Sequence, residues 1–218
     1  MSARDGYDLW AETYDETPNP VVIMDSRHSL QVLSPSPGEV ILDAGCGTGR
    51  NLAALLEAGA RPIGVDFSDG MLAVARRAQP SVALAMADLQ HSLPFAAASF
   101  DAVLCTLVGE HLDDLPATLN GLRHVLKPGG RLVFSVYHPE MAAAGIEANF
   151  DRGGIEYRLG VAKYSVQDYI DVVASADFDE IAFASFRGDG KLAAELPSAA
   201  KYIGFPMLLV IGATTPVI

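Results

Sequence analysis

The 218-residue chain is poor in cysteine and in basic residues. Its two cysteines, Cys46 and Cys105, are too few for a disulfide framework and lack metal-ligand spacing, which favours a reduced, cytoplasmic protein. Lysine and arginine number 15 against 27 acidic residues, giving a formal net charge of -12. This balance argues against a nucleic-acid partner, because binding to a phosphate backbone needs a clustered basic surface.

Long apolar runs are also missing. No stretch reaches the roughly 18 apolar residues of a membrane-spanning helix, and the N-terminal MSARDGYDLW lacks the apolar core of a signal peptide. Half of the residues are hydrophobic and 19% are charged, which is a globular composition. We therefore expect a soluble protein with a sizeable core and no membrane partner.

The stretch SPSPGE (34–39) separates an N-terminal helical segment from a body in which strands and helices alternate. This alternation is typical of a parallel sheet with helices on both faces. The predicted strands are 40–43, 62–66, 82–88, 100–106, 131–137, 178–186 and 207–213. The predicted segments are an N-terminal cap (1–38), a ligand-binding core (39–137), a lid or insertion (138–163) and a C-terminal part of the same domain (164–218).

Helix signals lie between the strands. Ser68 is a predicted N-cap, and apolar residues at helical spacing predict a helix over 115–126 that KPGG ends. SVQD (165–168) has the pattern of a capping box. The stretch 138–163 shows no regular pattern, and the last two strands are expected to pair as a hairpin around 191–206.

The segment EVILDAGCGTGR (39–50) combines an apolar run, an acid and a glycine-rich turn. A strand followed by such a turn opens a helix and holds a ligand at the helix N-terminus. A triphosphate loop requires a lysine after its last glycine, and here Arg50 follows. The three glycines are also one residue too closely spaced for the dinucleotide pattern G-x-G-x-x-G. Asp43 would repel a pyrophosphate and favour a cationic end such as an ammonium or a sulfonium.

Further acids end the next two predicted strands. Because the C-terminal ends of parallel strands meet at one edge of the sheet, these acids are expected to lie near the glycine turn. Asp66 is placed to accept hydrogen bonds from two ribose hydroxyls, and Asp88 with Leu89 to read an adenine edge. Phe67 and Met71 are placed to flank the adenine. The pattern therefore predicts a ligand with an amino-acid end, a ribose, an adenine and no phosphate.

Six segments carry a resemblance to a known family. VILDAGCGTG, GVDFSDGML, MADLQHSLPF, FDAVLCTLVGEHL and LKPGGRLVFSV resemble, in this order, the motifs of small class I S-adenosylmethionine-dependent methyltransferases of type 11. YDLWAETYD (7–15) is similar to the helical cap of many members, so the resemblance covers about residues 7–137. It implies a Rossmann-like α/β fold with a mostly parallel seven-stranded sheet, helices on both faces, an N-terminal helical cap and S-adenosyl-L-methionine as cofactor.

The same resemblance gives roles to residues. Gly45 and Gly47 would line the methionine part of the cofactor, and Tyr14 and Arg50 are possible partners of its carboxylate. The full set of predicted cofactor contacts is Tyr14, Asp43, Gly45, Cys46, Gly47, Arg50, Asp66, Phe67, Met71, Asp88, Leu89 and Cys105. The two cysteines also have a simpler interpretation, as small side chains of a loop and of the core.

Two histidines are the catalytic candidates. Methyl transfer from a sulfonium needs alignment and exclusion of water more than acid–base catalysis, although a base near the methyl group helps with a hydroxyl or protonated-amine acceptor. His111 follows the fourth predicted strand and His138 the fifth. Their structural alternatives are a polar residue at a helix start for His111 and a residue that shapes the loop before Pro139 for His138. We find no acidic cluster of the kind that holds magnesium and predict no metal.

The acceptor is predicted to be a small molecule bound between the N-terminal cap and residues 137–163. The segment CTLVGEH differs from the Asn/Asp-Pro-Pro-aromatic motif of nucleic-acid-modifying relatives, which argues against a nucleic-acid acceptor. Two alternatives remain open: a protein that binds S-adenosylmethionine or S-adenosylhomocysteine without transferase activity, and a nicotinamide-dependent oxidoreductase. Monomer and homodimer are both compatible with the sequence.

Overall fold

The strand that precedes the glycine turn lies inside one mixed sheet. The computed structural model describes residues 2–161 and 164–217, and within these ranges it contains nine strands. They are β1 (Val40–Ala44), β2 (Arg61–Asp66), β3 (Ala83–Met86), β4 (Phe100–Thr106), β5 (Leu126–Tyr137), β6 (Asn149–Arg152), β7 (Ile155–Arg158), β8 (Asp179–Arg187) and β9 (Pro206–Thr214). Seven form the sheet in the order β3-β2-β1-β4-β5-β9-β8, and β6 and β7 form a separate hairpin.

The sheet is parallel from β3 to β5, and β9 is antiparallel to both of its neighbours. The direction in which strands are added reverses between β1 and β4, so a crevice opens at the C-terminal ends of these two strands. The predicted seven-stranded, mostly parallel sheet is confirmed, and β8 and β9 form the expected closing pair.

Helices cover both faces of this sheet. Within the described ranges they are α1 (Ala3–Trp10), α2 (Pro20–Leu33), α3 (Arg50–Glu57), α4 (Asp69–Ala78), α5 (Leu115–Val125), α6 (Pro139–Ala143), α7 (Val166–Ser175) and α8 (Gly190–Glu195). On one face Leu119 of α5 and Val173 of α7 share a core with Val103 of β4. On the other face Met24 of α2 shares a core with Leu104. Since neighbouring residues of β4 point into opposite cores, its central residues 102–105 are all apolar, as in other buried parallel strands.

Side-chain caps set the helix starts. The Ser68 hydroxyl accepts a hydrogen bond from the Met71 N–H at the start of α4. Ser165 and Asp168 form the complete capping box at the start of α7. Both starts confirm the sequence prediction, which shows that these helix boundaries are encoded locally.

The predicted end of α5 is wrong by one residue. The helix ends at Val125, and Leu126 has an extended backbone and begins β5, where it pairs with Phe100 of β4. Pro128 provides the physical reason, because a proline interrupts both helical hydrogen bonding and the helical conformation of the residues before it. KPGG therefore lies inside β5, where the pairing with β4 has an irregular register, and not between the helix and the strand.

The N-terminal 38 residues divide into two parts that pack differently. Helix α1 and the 3₁₀ turn Ala11–Glu16 pack on α4. Asp8 secures this contact by accepting hydrogen bonds from the Ser68 hydroxyl (2.6 Å) and the Gly70 N–H (2.9 Å). Helix α2 instead packs on β5 and β9 and so belongs to the layer that covers the sheet.

The stretch after β5 is more ordered than its sequence pattern predicts. It contains α6 and the β6–β7 hairpin, whose turn is Gly153–Gly154. Phe150 of the hairpin stacks on Trp10 of α1, with ring centroids 4.9 Å apart, and Tyr157 stacks on Phe150 at 5.1 Å. The hairpin is thus supported by an aromatic contact with a distant segment, which local periodicity does not reveal. Lys163, the last residue of the predicted lid, lies outside the described residues.

A substitution at the α7 cap tests the local origin of this helix start. Ser165→Ala removes the oxygen that accepts the Asp168 N–H (3.1 Å) and should lower the free energy of unfolding by about 1 kcal/mol. Ser175→Ala is the matched control, because the Ser175 hydroxyl bonds to a carbonyl inside the same helix. In urea titrations the control should stay within about 0.5 kcal/mol of the parent. Equal losses in the two variants would contradict the capping role.

Candidate functional site

The crevice at the strand ends contains a cavity, called here the first cavity. Its lining residues are Tyr7, Tyr14, Gly45, Cys46, Gly47, Thr48, Arg50, Asn51, Asp66, Phe67, Met71, Ala87, Asp88, Leu89, Gln90, Thr106, Leu107, Val108, His111 and Leu112. They come from the loops after β1, β2, β3 and β4, with two tyrosines from the N-terminal segment. Of the predicted cofactor contacts, all except Asp43 and Cys105 line this cavity.

The glycine turn has a backbone that other residues rarely adopt. Gly45, Gly47 and Gly49 have φ angles of +83°, +53° and +92°, in the left-handed region that glycine enters without steric cost. The Gly45 N–H donates to the Val65 carbonyl (2.8 Å), and a Cβ on Gly45 would overlap a methyl group of Val108. Gly47 has open space where a Cβ would be. The turn therefore presents bare backbone to the first cavity.

Asp66 joins this turn to the end of β2. Its Oδ2 accepts from the Gly47 N–H and its Oδ1 from the Ser68 N–H, both at 2.9 Å. The residue is only 7% exposed, and burial raises the pKa of its carboxyl while these backbone donors lower it. Each carboxylate oxygen retains a further lone pair, so Asp66 can still accept hydrogen bonds from a ligand's hydroxyls.

Asp43 lies beneath the turn rather than in the lining. Its side chain is fully buried, and neither oxygen has a hydrogen-bond partner among the described residues. Burial raises the pKa of Asp43 to about 7, Arg50 opposes that shift, and Asp25 and Asp66 add to it. The carboxyl can therefore influence a ligand in the first cavity through its charge, while the structure brings it into no lining contact.

Arg50 and Tyr14 lie together on the side of the cavity that faces the N-terminal segment. Arg50 donates to the buried Asp25 of α2 at 2.9 Å, which ties α2 to α3. Burial raises the pKa of Tyr14 to about 12, and the nearby Arg50 opposes that shift. The guanidinium is thus partly engaged by the protein itself, and its other donors are available to an anionic group.

The loops after β2 and β3 form the opposite end of the cavity. Phe67 and the buried Met71 supply apolar surface, and the Arg4 guanidinium lies 5.7 Å from the centre of the Phe67 ring. Asp88 accepts the Gln90 N–H at 3.1 Å and has a side chain 28% exposed. Leu89 completes this end. Flat apolar surface beside one carboxylate suits a heteroaromatic ring with an amino group.

His111 lies in the 3₁₀ turn Gly109–His111 after β4 and contacts Tyr7. The Tyr7 hydroxyl and the His111 Nε2 are 2.8 Å apart, and the His111 Nδ1 is buried without a partner among the described residues. Burial lowers the pKa of His111 to about 4, so the imidazole is neutral near pH 7. Since Tyr7 occupies Nε2, Nδ1 is the ring atom that remains for a ligand.

His138 and Cys105 lie away from the first cavity. His138 caps α6, where its Nδ1 accepts from the Glu140 N–H (3.3 Å) and its Nε2 lies 3.1 Å from the Ser185 hydroxyl. Both ring nitrogens are therefore engaged in holding α6 and β8. Cys105 is fully buried in β4. Burial raises the pKa of both cysteine thiols, although Cys46 does line the cavity. The structural interpretation fits His138 and Cys105 best.

Sequence reasoning missed several lining residues. Asn51 of α3 donates to the Thr106 hydroxyl at 3.0 Å, and the Thr48 hydroxyl donates to Asp15 at 3.2 Å. Tyr7 belongs to the segment that resembles a helical cap, and this resemblance could have identified it as a lining residue. Asn51 and Thr106 are polar residues in otherwise apolar surroundings, yet their contact joins positions 55 residues apart. Only the folded chain brings them together.

The unpartnered buried polar atoms of the described residues are concentrated at this end of the sheet. They are both carboxylate oxygens of Asp43, Oε2 of Glu110 and Nδ1 of His111. Burial raises the pKa of Glu110 to about 8. Native proteins pair most buried polar atoms, so a cluster of exceptions requires an explanation. Asp43 lies near the C-terminal end of β1, and Glu110 and His111 lie in the turn after β4, the two strands at the switch point, where open α/β sheets bind ligands.

A second cavity of about 300 Å³ adjoins the first and shares Tyr14 with it. It lies between residues 10–23 of the N-terminal segment and the stretch that runs from Tyr137 into the β6 strand, with Tyr202 on one side. The Asn19 amide donates to the Tyr137 hydroxyl at 2.7 Å across this space. Its position matches the place predicted for the acceptor.

The described residues contain neither a cluster of metal ligands nor a membrane-spanning helix. In residues 2–161 and 164–217, no group of three or more histidine, cysteine, aspartate or glutamate side chains is placed to hold a metal ion. No helix in the same part of the chain has the length and apolar character needed to cross a membrane.

Known proteins resemble this chain in sequence and in fold. The type 11 family model, described as Methyltransferase domain, matches residues 42–134. The demethylmenaquinone methyltransferase of Beutenbergia cavernae is 38% identical over 111 residues, or 51% of this chain and 46% of that protein. The malonyl-[acyl-carrier protein] O-methyltransferase of Serratia marcescens is 40% identical over 102 residues, or 47% and 40%. The chain thus spans less than half the length of these relatives.

The fold has a counterpart among solved structures. An S-adenosylmethionine-dependent methyltransferase from Mesorhizobium loti superposes with a TM-score of 0.73, over 87% of this chain and 97% of that one. The sequence identity is 24%, so this likeness concerns the fold.

Titration of Asp43 should make stability depend on pH. Its folded-state pKa of about 7 exceeds an unfolded value of about 3.9. Between these values the folded protein holds a proton that the unfolded chain has lost, so the contribution of Asp43 to the free energy of unfolding should fall as pH rises through this window. Asp43→Asn removes this contribution, so between about pH 5 and pH 7.5 the slope of its urea midpoint against pH should be more positive than the slope of the parent. Glu110 titrates in the same sense as Asp43 and His111 in the opposite sense, and both contribute equally to the two slopes.

Asp69→Asn provides the control, because Asp69 has a side chain 79% exposed. This variant should keep the parent slope. An Asp43→Asn variant that keeps the parent's dependence of stability on pH would contradict the assignment.

Proposed function

We propose that the chain is an S-adenosylmethionine-dependent methyltransferase acting on a small-molecule acceptor, in line with the match of residues 42–134 to the type 11 methyltransferase-domain family model. The position of the polar groups is the main support for this proposal. The glycine turn, Asp66, Asp88 and the unpartnered polar atoms of Asp43 and His111 all lie at the carboxyl ends of the parallel strands β1 to β4. Such a concentration of uncompensated polarity is expected of a ligand site.

The lining fits the cofactor part by part. Gly45 and Gly47 offer open backbone to the methionine part, and Asp66 has lone pairs for two ribose hydroxyls. Phe67, Met71 and Asp88 suit an adenine. When ionised, the buried carboxyl of Asp43 and the neighbouring Asp66 make the field of this site negative, and a positively charged ligand favours that ionised form. A pyrophosphate would be repelled by the same field.

S-adenosylmethionine, when bound, supplies a methyl group on a sulfonium sulfur that is already a good leaving group. The chain's own part is to hold the reacting groups in line and to exclude water. Tyr7 and Tyr14 cover the cavity from the N-terminal side, and the neutral His111 lines it with a buried Nδ1 that has no partner among the described residues. Direct transfer from a sulfonium needs no metal in this proposal, and His111 is our candidate for the group that accepts or donates a proton.

The kind of acceptor and the cellular compartment have indirect support. The homologues' names, demethylmenaquinone methyltransferase and malonyl-[acyl-carrier protein] O-methyltransferase, support an acceptor other than nucleic acid. Both cysteines are free and buried, which suits the reducing cytoplasm. The alternatives are a cofactor-binding protein without transferase activity and a nicotinamide-dependent oxidoreductase.

Ligand-dependent thermal shifts separate these functions. At a hundred times its dissociation constant, a ligand adds about 2.7 kcal/mol of stability, which for this chain length raises the midpoint by several degrees at roughly 2–4 °C per kcal/mol. S-adenosylmethionine and S-adenosylhomocysteine should raise the midpoint and NADH should not. The opposite pattern, or no shift with any of the three, would refute the proposal. Release of S-adenosylhomocysteine in the presence of an acceptor would exclude the pure binding protein.

Removal of the Asp66 carboxylate should weaken cofactor binding. Asp66→Ala removes both the acceptor for the ribose and the bonds that hold the Gly47 N–H and the Ser68 N–H, so affinity for S-adenosylhomocysteine should fall at least about tenfold. Calorimetric titration measures the change. Asp69→Ala is the matched control, because Asp69 is exposed three residues away. Unchanged affinity in Asp66→Ala would refute the placement of the ribose.

A further inference from the structure

The second cavity has walls suited to a small organic molecule. Trp10, Tyr14, Tyr137 and Tyr202 contribute four aromatic rings, and apolar side chains such as Ile146 fill the spaces between them. A volume of about 300 Å³ is at the lower end of ligand pockets and excludes a macromolecule from the interior. Because Tyr14 lies in both cavities, an occupant of the second is adjacent to one in the first.

The two charged side chains that line this cavity are both acidic, while Lys201 lies outside the lining with its Nζ 4.9 Å from the centre of the Tyr202 ring. Asp15 and Glu147 line the cavity, and no arginine, lysine or histidine of the described residues does so. Arg158 contacts Glu147 at 3.1 Å from outside the lining, and its side chain is 53% exposed while that of Glu147 is 16% exposed. The Glu147 charge is therefore partly offset, but the lining itself remains acidic, as does the chain with its net charge of -12.

Aromatic faces and carboxylates together recognise cations. The ring quadrupole attracts an ammonium over its face, and a carboxylate adds Coulomb attraction that grows as water is excluded. An anionic molecule would meet the same groups with the opposite sign. A neutral apolar molecule would fill the space without gaining attraction from the charges of Asp15 and Glu147.

We propose that the second cavity binds the methyl acceptor by a protonated amine carried on an apolar body. This inference rests on the proposed function only in identifying the occupant as the methyl acceptor. Recognition of the amine is a property of the cavity alone. Asp15 and Glu147 determine the charge of the preferred molecule, and the aromatic rings hold its apolar part.

Trp10 makes binding visible without a methyltransferase assay. It is the single tryptophan of the chain and lines the second cavity, so its fluorescence, excited where tyrosine does not absorb, reports on this site. The probes are 2-phenylethylamine, 2-phenylethanol and phenylacetate, which share a skeleton and differ in charge. At neutral pH the amine is protonated, and it should bind at least about fivefold more tightly than the alcohol, with the acid weakest.

Variants that each remove one negative charge test whether the carboxylates of the lining cause the preference for the amine. Glu147→Gln and Asp15→Asn should each weaken binding of the amine by about threefold or more and change binding of the alcohol less than about twofold. Glu57→Gln is the control, because Glu57 is an exposed residue of α3 that lines neither cavity. It changes the net charge by the same amount and should leave all three affinities as they are.

Each result supports or overturns the inference independently of the cofactor. A preference for the amine that both lining variants reduce and Glu57→Gln does not would support it. Equal or tighter binding of the alcohol or the acid, an amine preference insensitive to both lining variants, or no fluorescence response to any probe would overturn it. Failure of the proposed function would appear elsewhere, as an absent thermal shift with S-adenosylhomocysteine while the amine still binds.

Discussion

The hydrogen bonds that Asp66 accepts are the interaction on which the site depends. One oxygen holds the Gly47 N–H of the glycine turn and the other holds the Ser68 N–H at the start of α4. Ser68 in turn donates its hydroxyl to Asp8 of α1. A single buried carboxylate thus connects the turn after β1, the end of β2, and the N-terminal segment that covers the first cavity. Its burial is tolerable because backbone donors replace much of the lost hydration.

The strands beside the switch point retain buried polar groups that the protein does not satisfy. Asp43 and Glu110 keep carboxyl oxygens without partners, and the neutral His111 keeps one ring nitrogen. An apolar core of the same shape would be more stable, since each unsatisfied group costs about 1–3 kcal/mol. Stability is therefore lower at the place proposed for the ligand, and the raised pKa values of Asp43 and Glu110 express the same cost.

Aromatic contacts between distant segments form the second cavity. Trp10 of α1 stacks on Phe150 of the β6–β7 hairpin, and Tyr14 meets Trp10 edge to face at 4.7 Å between centroids. The Asn19–Tyr137 hydrogen bond ties the start of α2 to the end of β5. These contacts hold the N-terminal segment and the stretch after β5 around one space, so the shape of the cavity depends on both at once.

The sequence by itself determined the order of the seven strands of the main sheet, the caps at Ser68 and Ser165, and the glycine turn with Asp66 after it, because short-range patterns and backbone sterics encode these features. The alternation of strands and helices also sufficed to predict that the loops after the parallel strands meet at one edge of the sheet. Only the tertiary structure decided which loop residues line the first cavity. It placed Asp43 beneath the turn, engaged both nitrogens of His138 elsewhere, paired Tyr7 with His111, and built the second cavity. These outcomes depend on contacts between residues far apart in the chain, whose side-chain directions no local pattern specifies.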